Sequence, residues 1–139
     1  MDKYIGTKLI EAEPQPDYNG MPGYKVKYSD DYVSWSPKEV FEKAYMKVEP
    51  NKDLKSDISI SQNMVDDFIK ETNVTTIGEK TTLVRVILKN GFELVEASSC
   101  VDKENYEETM GAAICMKKIK DKVWFLLGFL LQTAKNGIN

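Results

Sequence analysis

Between Asn105 and Ala134 the chain contains no proline, and Ala112, Met116, Ile119, Val123, Leu126 and Leu130 recur at spacings of four and three. That spacing keeps apolar side chains on one side of a helix, so the segment predicts a single long one. At 1.5 Å per residue it would reach roughly 45 Å, farther than a compact domain within 139 residues covers by itself. From Val123 to Leu131 apolar groups lie all round it, and a helix apolar on every side is buried on every side. Self-association is therefore expected through Val123, Trp124, Leu126, Leu127, Phe129 and Leu130. Leaving these side chains in water would cost several kcal/mol at about 25 cal/mol per Å². The same run falls far short of the roughly 20 apolar residues a bilayer span requires, so no membrane partner is expected.

Upstream, two apolar, β-branched runs, Thr81 to Lys89 and Phe92 to Ser99, flank Asn90-Gly91, a strong two-residue hairpin signal. A two-residue loop would set Lys89 opposite Phe92, Ile87 opposite Leu94, Arg85 opposite Glu96 and Val86 opposite Val95, leaving both faces largely apolar. Before it, Ser59 and Gln62 form a capping-box pattern, and Ile60, Met64, Val65, Phe68 and Ile69 keep helical spacing to about Thr72. The N-terminal part reads as a strand from Tyr4 to Ala12 and a turn-rich stretch from Pro14 to Gly23. A hairpin of Tyr24 to Tyr28 with Tyr32 to Trp35 follows, with Tyr24, Val26 and Tyr28 on one face. Ser36-Pro37-Lys38-Glu39 then supplies a second capping box for a helix from Pro37 to about Met46. Val48 to Asp57 lacks periodicity. The expected organisation is α+β: residues 1–47 as a small antiparallel sheet plus helix, 48–57 as a linker, and 58–139 as short helix, antiparallel hairpin and long C-terminal helix, oligomeric and ligand-binding.

The chemistry available is limited. Histidine is absent, and Cys100 and Cys115 are too few and too separated for a relay or a metal cluster, so no catalytic residue, metal or cofactor is expected. Two cysteines without CxxC spacing, and no secretory signal at the N-terminus, suit a reducing cytoplasm. A net charge of −3 argues against general affinity for a nucleic-acid polymer. Asp30-Asp31, Asp66-Asp67 and Glu107-Glu108 fall in turns or on helix surfaces and read as solvated pairs. Arg85 is the chain's single arginine. Mid-strand, it reads either as a cross-strand partner of Glu96 or as the one forked donor able to hold a phosphate bidentately. Phe92, beside the turn and Lys89, is either a packing residue or a stacking surface for a base. Lys117, Lys118, Lys120 and Lys122 form a solvated face, with Lys117 paired to Asp121, unless symmetric assembly gathers them into a positive cavity.

The order capped helix, strand, Asn90-Gly91-Phe92, strand, then Ser99-Cys100-Val101-Asp102, Asn105-Tyr106, Gly111, Lys122, Trp124 and Gly128 resembles a family of small phage and prophage proteins. It is similar to the family containing the first type of Thoeris anti-defence protein, over roughly Ile58 to Ala134. Tyr4-Ile5-Gly6-Thr7-Lys8 and Tyr32-Val33-Ser34-Trp35-Ser36-Pro37-Lys38 are similar to a leader module on other prophage proteins. What the resemblance implies is a non-enzymatic sponge in the cytoplasm of the infected bacterium. It would sequester cyclic nucleotide immune signals, glycocyclic ADP-ribose and possibly cyclic di- or trinucleotides, from a homo-oligomer, a hexamer by resemblance. Arg85, Lys89, Asn90 and Phe92 are the candidate ligand-binding residues. A phage structural or host-takeover module that binds protein through the C-terminal helix is the alternative, and a nucleotide-acting enzyme is third.

Overall fold

A computed structural model describes residues 1–139. The architecture is α+β, with two three-stranded antiparallel sheets, short helices and one long C-terminal helix. The chain forms two compact units, Met1–Val48 with Phe129–Asn139, and Glu49–Gly128.

In the first unit β1 (Glu11–Pro14), β2 (Gly23–Lys27) and β3 (Val33–Pro37) pair in that order, and α1 (Lys38–Ala44) packs on one face. Strand formation begins at Glu11 and not at Tyr4; Tyr4 and Ile5 are exposed, so the apolar residues expected to open a strand have no sheet to enter. The Asp17 carboxylate makes the β1–β2 turn, accepting from the backbone N–H groups of Asn19 and Met21, both at 2.8 Å. Val26 and Tyr24 share the covered face as their alternation predicts; Val26 is buried and Tyr24 stacks on Phe41 at 4.0 Å between centroids. The capping box expected at Ser36 does not form. Pro37 is still strand and caps α1 without a side-chain bond, while the Ser36 hydroxyl turns to the Pro37 carbonyl. Pairing of Gly23 with Pro37 holds that proline extended, as strand ladders override a local cap signal.

In the second unit α2 (Gln62–Phe68) leads into β4 (Ile69–Ile77), β5 (Thr81–Leu88) and β6 (Glu93–Ser99). A 3-10 turn (Lys103–Asn105) and α3 (Glu108–Asn136) follow. Helical spacing had carried α2 to Thr72; it ends at Phe68, and β4 is an additional strand absent from the expected hairpin. Six of its nine residues, IKETNVTTI, are β-branched, which favours the strand, but they are almost all exposed, so no apolar alternation announces it. The cap of α2 is Ser61, whose hydroxyl accepts from the Met64 N–H, while Ser59 accepts from the Asn51 N–H at 2.8 Å and ties the preceding loop back.

The β5–β6 register also departs from expectation. Arg85 faces Val95, Val86 faces Leu94 and Ile87 faces Glu93. A two-residue type I′ loop needs positive φ at both central residues. Here Gly91 has φ 89° and Asn90 does not share that region. The connection is instead a three-residue loop: Gly91 N–H donates to the Leu88 carbonyl at 2.9 Å and Leu88 N–H to the Phe92 carbonyl at 2.8 Å. This one-residue shift re-sorts the faces. Thr82, Val84, Val86 and Leu88 are buried, and Leu94, Glu96 and Ser98 share their side. Leu83, Ile87, Val95 and Ala97 occupy the other face together with the ion-paired Arg85 and Glu93.

Cys115, Ile119, Val123 and Leu127 of α3 are buried at i, i+4, i+8 and i+12. Val123 and Leu127, expected at a subunit interface, are thus core residues of their own chain. Trp124 and Leu126 are half-buried, whereas Phe129 and Leu130 are exposed, as is Phe125. The far end of α3, from Phe129, groups with the N-terminal unit, where the sequence reading kept 58–139 together. No helix is long and apolar enough to cross a membrane.

Candidate functional site

The β5–β6 turn positions three of the four residues read as ligand-binding. Asn90 accepts from the Phe92 N–H through its side-chain oxygen at 3.0 Å, and the Lys89 N–H donates to the Phe68 carbonyl at 2.9 Å. The loop is therefore fastened both to itself and to the end of α2. Asn90 is accounted for by holding the turn. Lys89 is exposed, and Phe92 keeps 55% of its surface in solvent. A β-bulge between Ile69 and Glu71 sets Lys70 at the same end of the sheet, a cation that the sequence reading missed because β4 itself was missed.

Arg85 does not join this group. Phe92 pairs with Leu88 and so falls on the side of Leu94, while Arg85 projects from the opposite face. There both its Nε and a terminal nitrogen engage the Glu93 carboxylate, the diagonal neighbour, and not Glu96. A phosphate approaching Arg85 would have to displace that carboxylate.

Glu96 meets α3 instead. Lys122 Nζ lies 2.5 Å from its carboxylate, and this hydrogen-bonded ammonium holds the Glu96 carboxyl below the usual range, with a smaller contribution from Lys118. Lys120 reaches Asp66 of α2 at 2.9 Å, and together with the Gln62 amide it lowers the Asp66 carboxyl likewise. Lys120 and Lys122 are thus two pins of the seam joining α2, β6 and α3. The expected Lys117–Asp121 pairing does not form.

A chain of hydroxyls clamps the start of α3. The Thr76 hydroxyl donates to Glu108 at 2.5 Å, and the Tyr106 hydroxyl lies 2.7 Å from Thr76 and 2.8 Å from Thr82. Each hydroxyl has one proton. With Thr76 donating to the carboxylate, Tyr106 donates to Thr76 and Thr82 to Tyr106, which satisfies the fully buried Thr82. Gly111 packs against the Thr82 side chain with no room for a Cβ, and burial against the same strand pushes the Cys115 thiol up. No spacing pattern reveals this chain, because its members come from β4, β5, the loop and α3.

What fold and site define is a small α+β module: a three-stranded sheet backed by one long helix, with cationic and aromatic groups offered at the β5–β6 turn. A sequence profile of the phage protein family named for N4 Gp49 and phage Sf6 gene 66 matches residues 60–135. That is 76 residues of 139, more than half, and the chain belongs to this family of phage proteins. No curated protein and no solved structure gives a significant match.

Proposed function

We propose that the chain binds cyclic nucleotide immune signals, glycocyclic ADP-ribose and cyclic di- or trinucleotides, and sequesters them intact in the cytoplasm of the infected bacterium. The reading joins the likeness to the Thoeris anti-defence family with one observation. Within the family-matched segment, Lys89 and Phe92 stand exposed on a turn fastened by four hydrogen bonds. A cyclic nucleotide presents phosphate oxygens and a base face, for which an ammonium and an aromatic wall are the complementary groups. Lys70, at the same end of the sheet, adds a second ammonium. Copies assembled as a homo-oligomer, a hexamer by resemblance, would supply several such ends. Arg85 serves the sheet through Glu93, and Asn90 holds the turn.

Titration calorimetry against a panel of cyclic nucleotides, with heat-released ligand run by chromatography, tests this reading. Tight binding with unchanged ligand is expected. Lys89→Ala and Phe92→Ala should each weaken affinity about ten- to hundredfold, the loss of about 1.5–3 kcal/mol that one charge-assisted contact or stacked base represents. Arg85→Ala should leave affinity alone and lower stability. Conversion of the ligand would identify an enzyme, and silence across the panel would favour the protein-binding alternative.

A further inference from the structure

β6 lies at the edge of its sheet, with no strand beyond it. The Leu88 N–H donates to the Phe92 carbonyl at one end of the β5–β6 ladder, and the Cys100 N–H to the Lys80 carbonyl at the other. Both bonds join even-numbered residues, and directly opposed pairs in an antiparallel ladder alternate between bonded and unbonded. Leu94, Glu96 and Ser98 are therefore bonded to β5, whereas Glu93, Val95, Ala97 and Ser99, all exposed, turn their N–H and C=O groups outward. Natural proteins blunt such edges with lysine, proline or a bulge. β6 has none of these, and Glu96, its one charge on the α3 side, is neutralised by Lys122. The opposite edge, β4, is defended: Lys70 and the bulge between Ile69 and Glu71 stand at one end, and the Tyr106 hydroxyl holds Thr76 at the other.

α3 forms a wall above that edge. Ile114, Lys118, Lys122 and Phe125 fall at i, i+4, i+8 and i+11, the spacing of one helical face, and Lys122 shows where that face looks, because its ammonium reaches Glu96 of β6. Ile114 is 47% exposed and Phe125 76%, and Lys118, also exposed, forms no ion pair of its own. All of these groups belong to the compact unit Glu49–Gly128. A strand laid along β6 would complete its backbone bonds and turn every second side chain toward this wall. From Ile114 to Phe125 the helix rises about 16 Å, the length of roughly five strand residues, so three side chains of the added strand meet the wall. Apolar ones suit Ile114 and Phe125, and an acidic one suits Lys118. A second copy of this chain fits poorly. Pairing β6 with β6 about a two-fold axis perpendicular to the sheet keeps both α3 helices on one face and turns Lys118 and Lys122 of each toward the other. We propose that the β6 edge and the α3 face above it form a docking groove for an extended segment of another protein, which adds as a fourth strand and carries an acidic side chain between two apolar ones at alternate positions. The inference stands whether or not the chain binds a nucleotide.

Calorimetry of the full chain with a capped heptapeptide, in which threonine alternates with isoleucine, glutamate and phenylalanine, is the test. Saturable one-to-one binding is expected at or below roughly 1 mM peptide. A strand turns every second N–H toward its neighbour, so of two N-methylated forms, one blocked at the threonines and one at the other three residues, one should lose at least about tenfold and the other should not. Lysine in place of the peptide's glutamate should weaken binding about fivefold, and Lys118→Glu should reverse that preference. Phe125→Ala should weaken it about tenfold. Ala97→Pro removes an outward N–H while sparing the β5 ladder, and should abolish binding. Lys118 and Phe125 are exposed, so circular dichroism of their variants should be unchanged, and these two decide the matter if Ala97→Pro fails to fold. Silence at roughly 1 mM peptide overturns the proposal. So do equal binding of the two N-methylated forms, indifference to Phe125→Ala, or sedimentation of the chain as a dimer that Ala97→Pro separates.

Discussion

Gly111 and Gly128 lie in the same helix and differ in what stands beside them. A Cβ on Gly111 would meet the side-chain oxygen and Cβ of buried Thr82, whereas one on Gly128 would meet nothing. Gly111→Ala should therefore destabilise the chain by about 1–3 kcal/mol through overpacking. Gly128→Ala should stabilise it by about 0.5–1 kcal/mol, because alanine loses less backbone entropy in a helix. Urea denaturation of the two variants should show midpoints displaced in opposite directions. Gly111 was visible in the sequence only as part of a family likeness; its reason, the closeness of α3 to β5, depends on which strand lies under the helix.

The turn of the β5–β6 hairpin rests on one backbone conformation. Gly91 at φ 89° closes a loop that a left-handed alanine would strain by about 1–2 kcal/mol. Gly91→Ala should lower the urea midpoint accordingly, and Gly91→Asn should lower it less, since asparagine tolerates this region better. The seam between helices and sheet carries an acid-sensitive increment. The folded-state carboxyls of Glu96 and Asp66 are held low chiefly by Lys122 and Lys120. Their contribution is complete above the ordinary carboxylate range of about 3.9–4.3 and is lost as pH falls through that range toward the lowered folded values. A Lys120→Met, Lys122→Met double variant should lose stability at pH 7 and lose less than wild type on going from pH 7 to pH 3.5, read from urea midpoints at both pH values. The increment is small because both pairs are partly solvated.

At the level of the whole molecule, the two compact units divide at Val48 and Glu49, and the loop that follows carries Lys52 and Lys55 exposed. The Glu49 N–H reaches the Met64 sulfur of α2 at 3.3 Å; beyond it the ties are local, the Asn51 N–H to Ser59, the Asp53 N–H to the Asn51 side chain, the Leu54 N–H to the Asn51 carbonyl and the Ile58 N–H to Ser56. Limited trypsin digestion should cut first at Lys52 or Lys55, before any site in the β5–β6 hairpin. Protection of both lysines for as long as Lys89 would show that this loop is held more firmly than its local bonds account for. Family membership covers α2 through nearly all of α3, so the sheet and its covering helix form the part shared with other phage proteins.

Periodicity and turn chemistry determined the elements whose signals are local. The long helix, the turn-bounded strands β2 and β3, the α+β class and the location of the Asn90-Gly91 turn were all legible in the chain. The features that sequence reading missed depend on neighbours distant in sequence. β4 is polar and exposed, so only pairing with β5 makes it a strand. The hairpin register turned on the φ of one asparagine, and with it Arg85 passed from Glu96 to Glu93 and to the face away from Phe92. Val123 and Phe129 look alike in a run apolar on all sides; the sheet lying on one side of α3 buries the first and leaves the second in water. Sequence determines which side chains exist on each face of an element, and tertiary packing decides which face is covered, because burial is a property of the surface an element is pressed against.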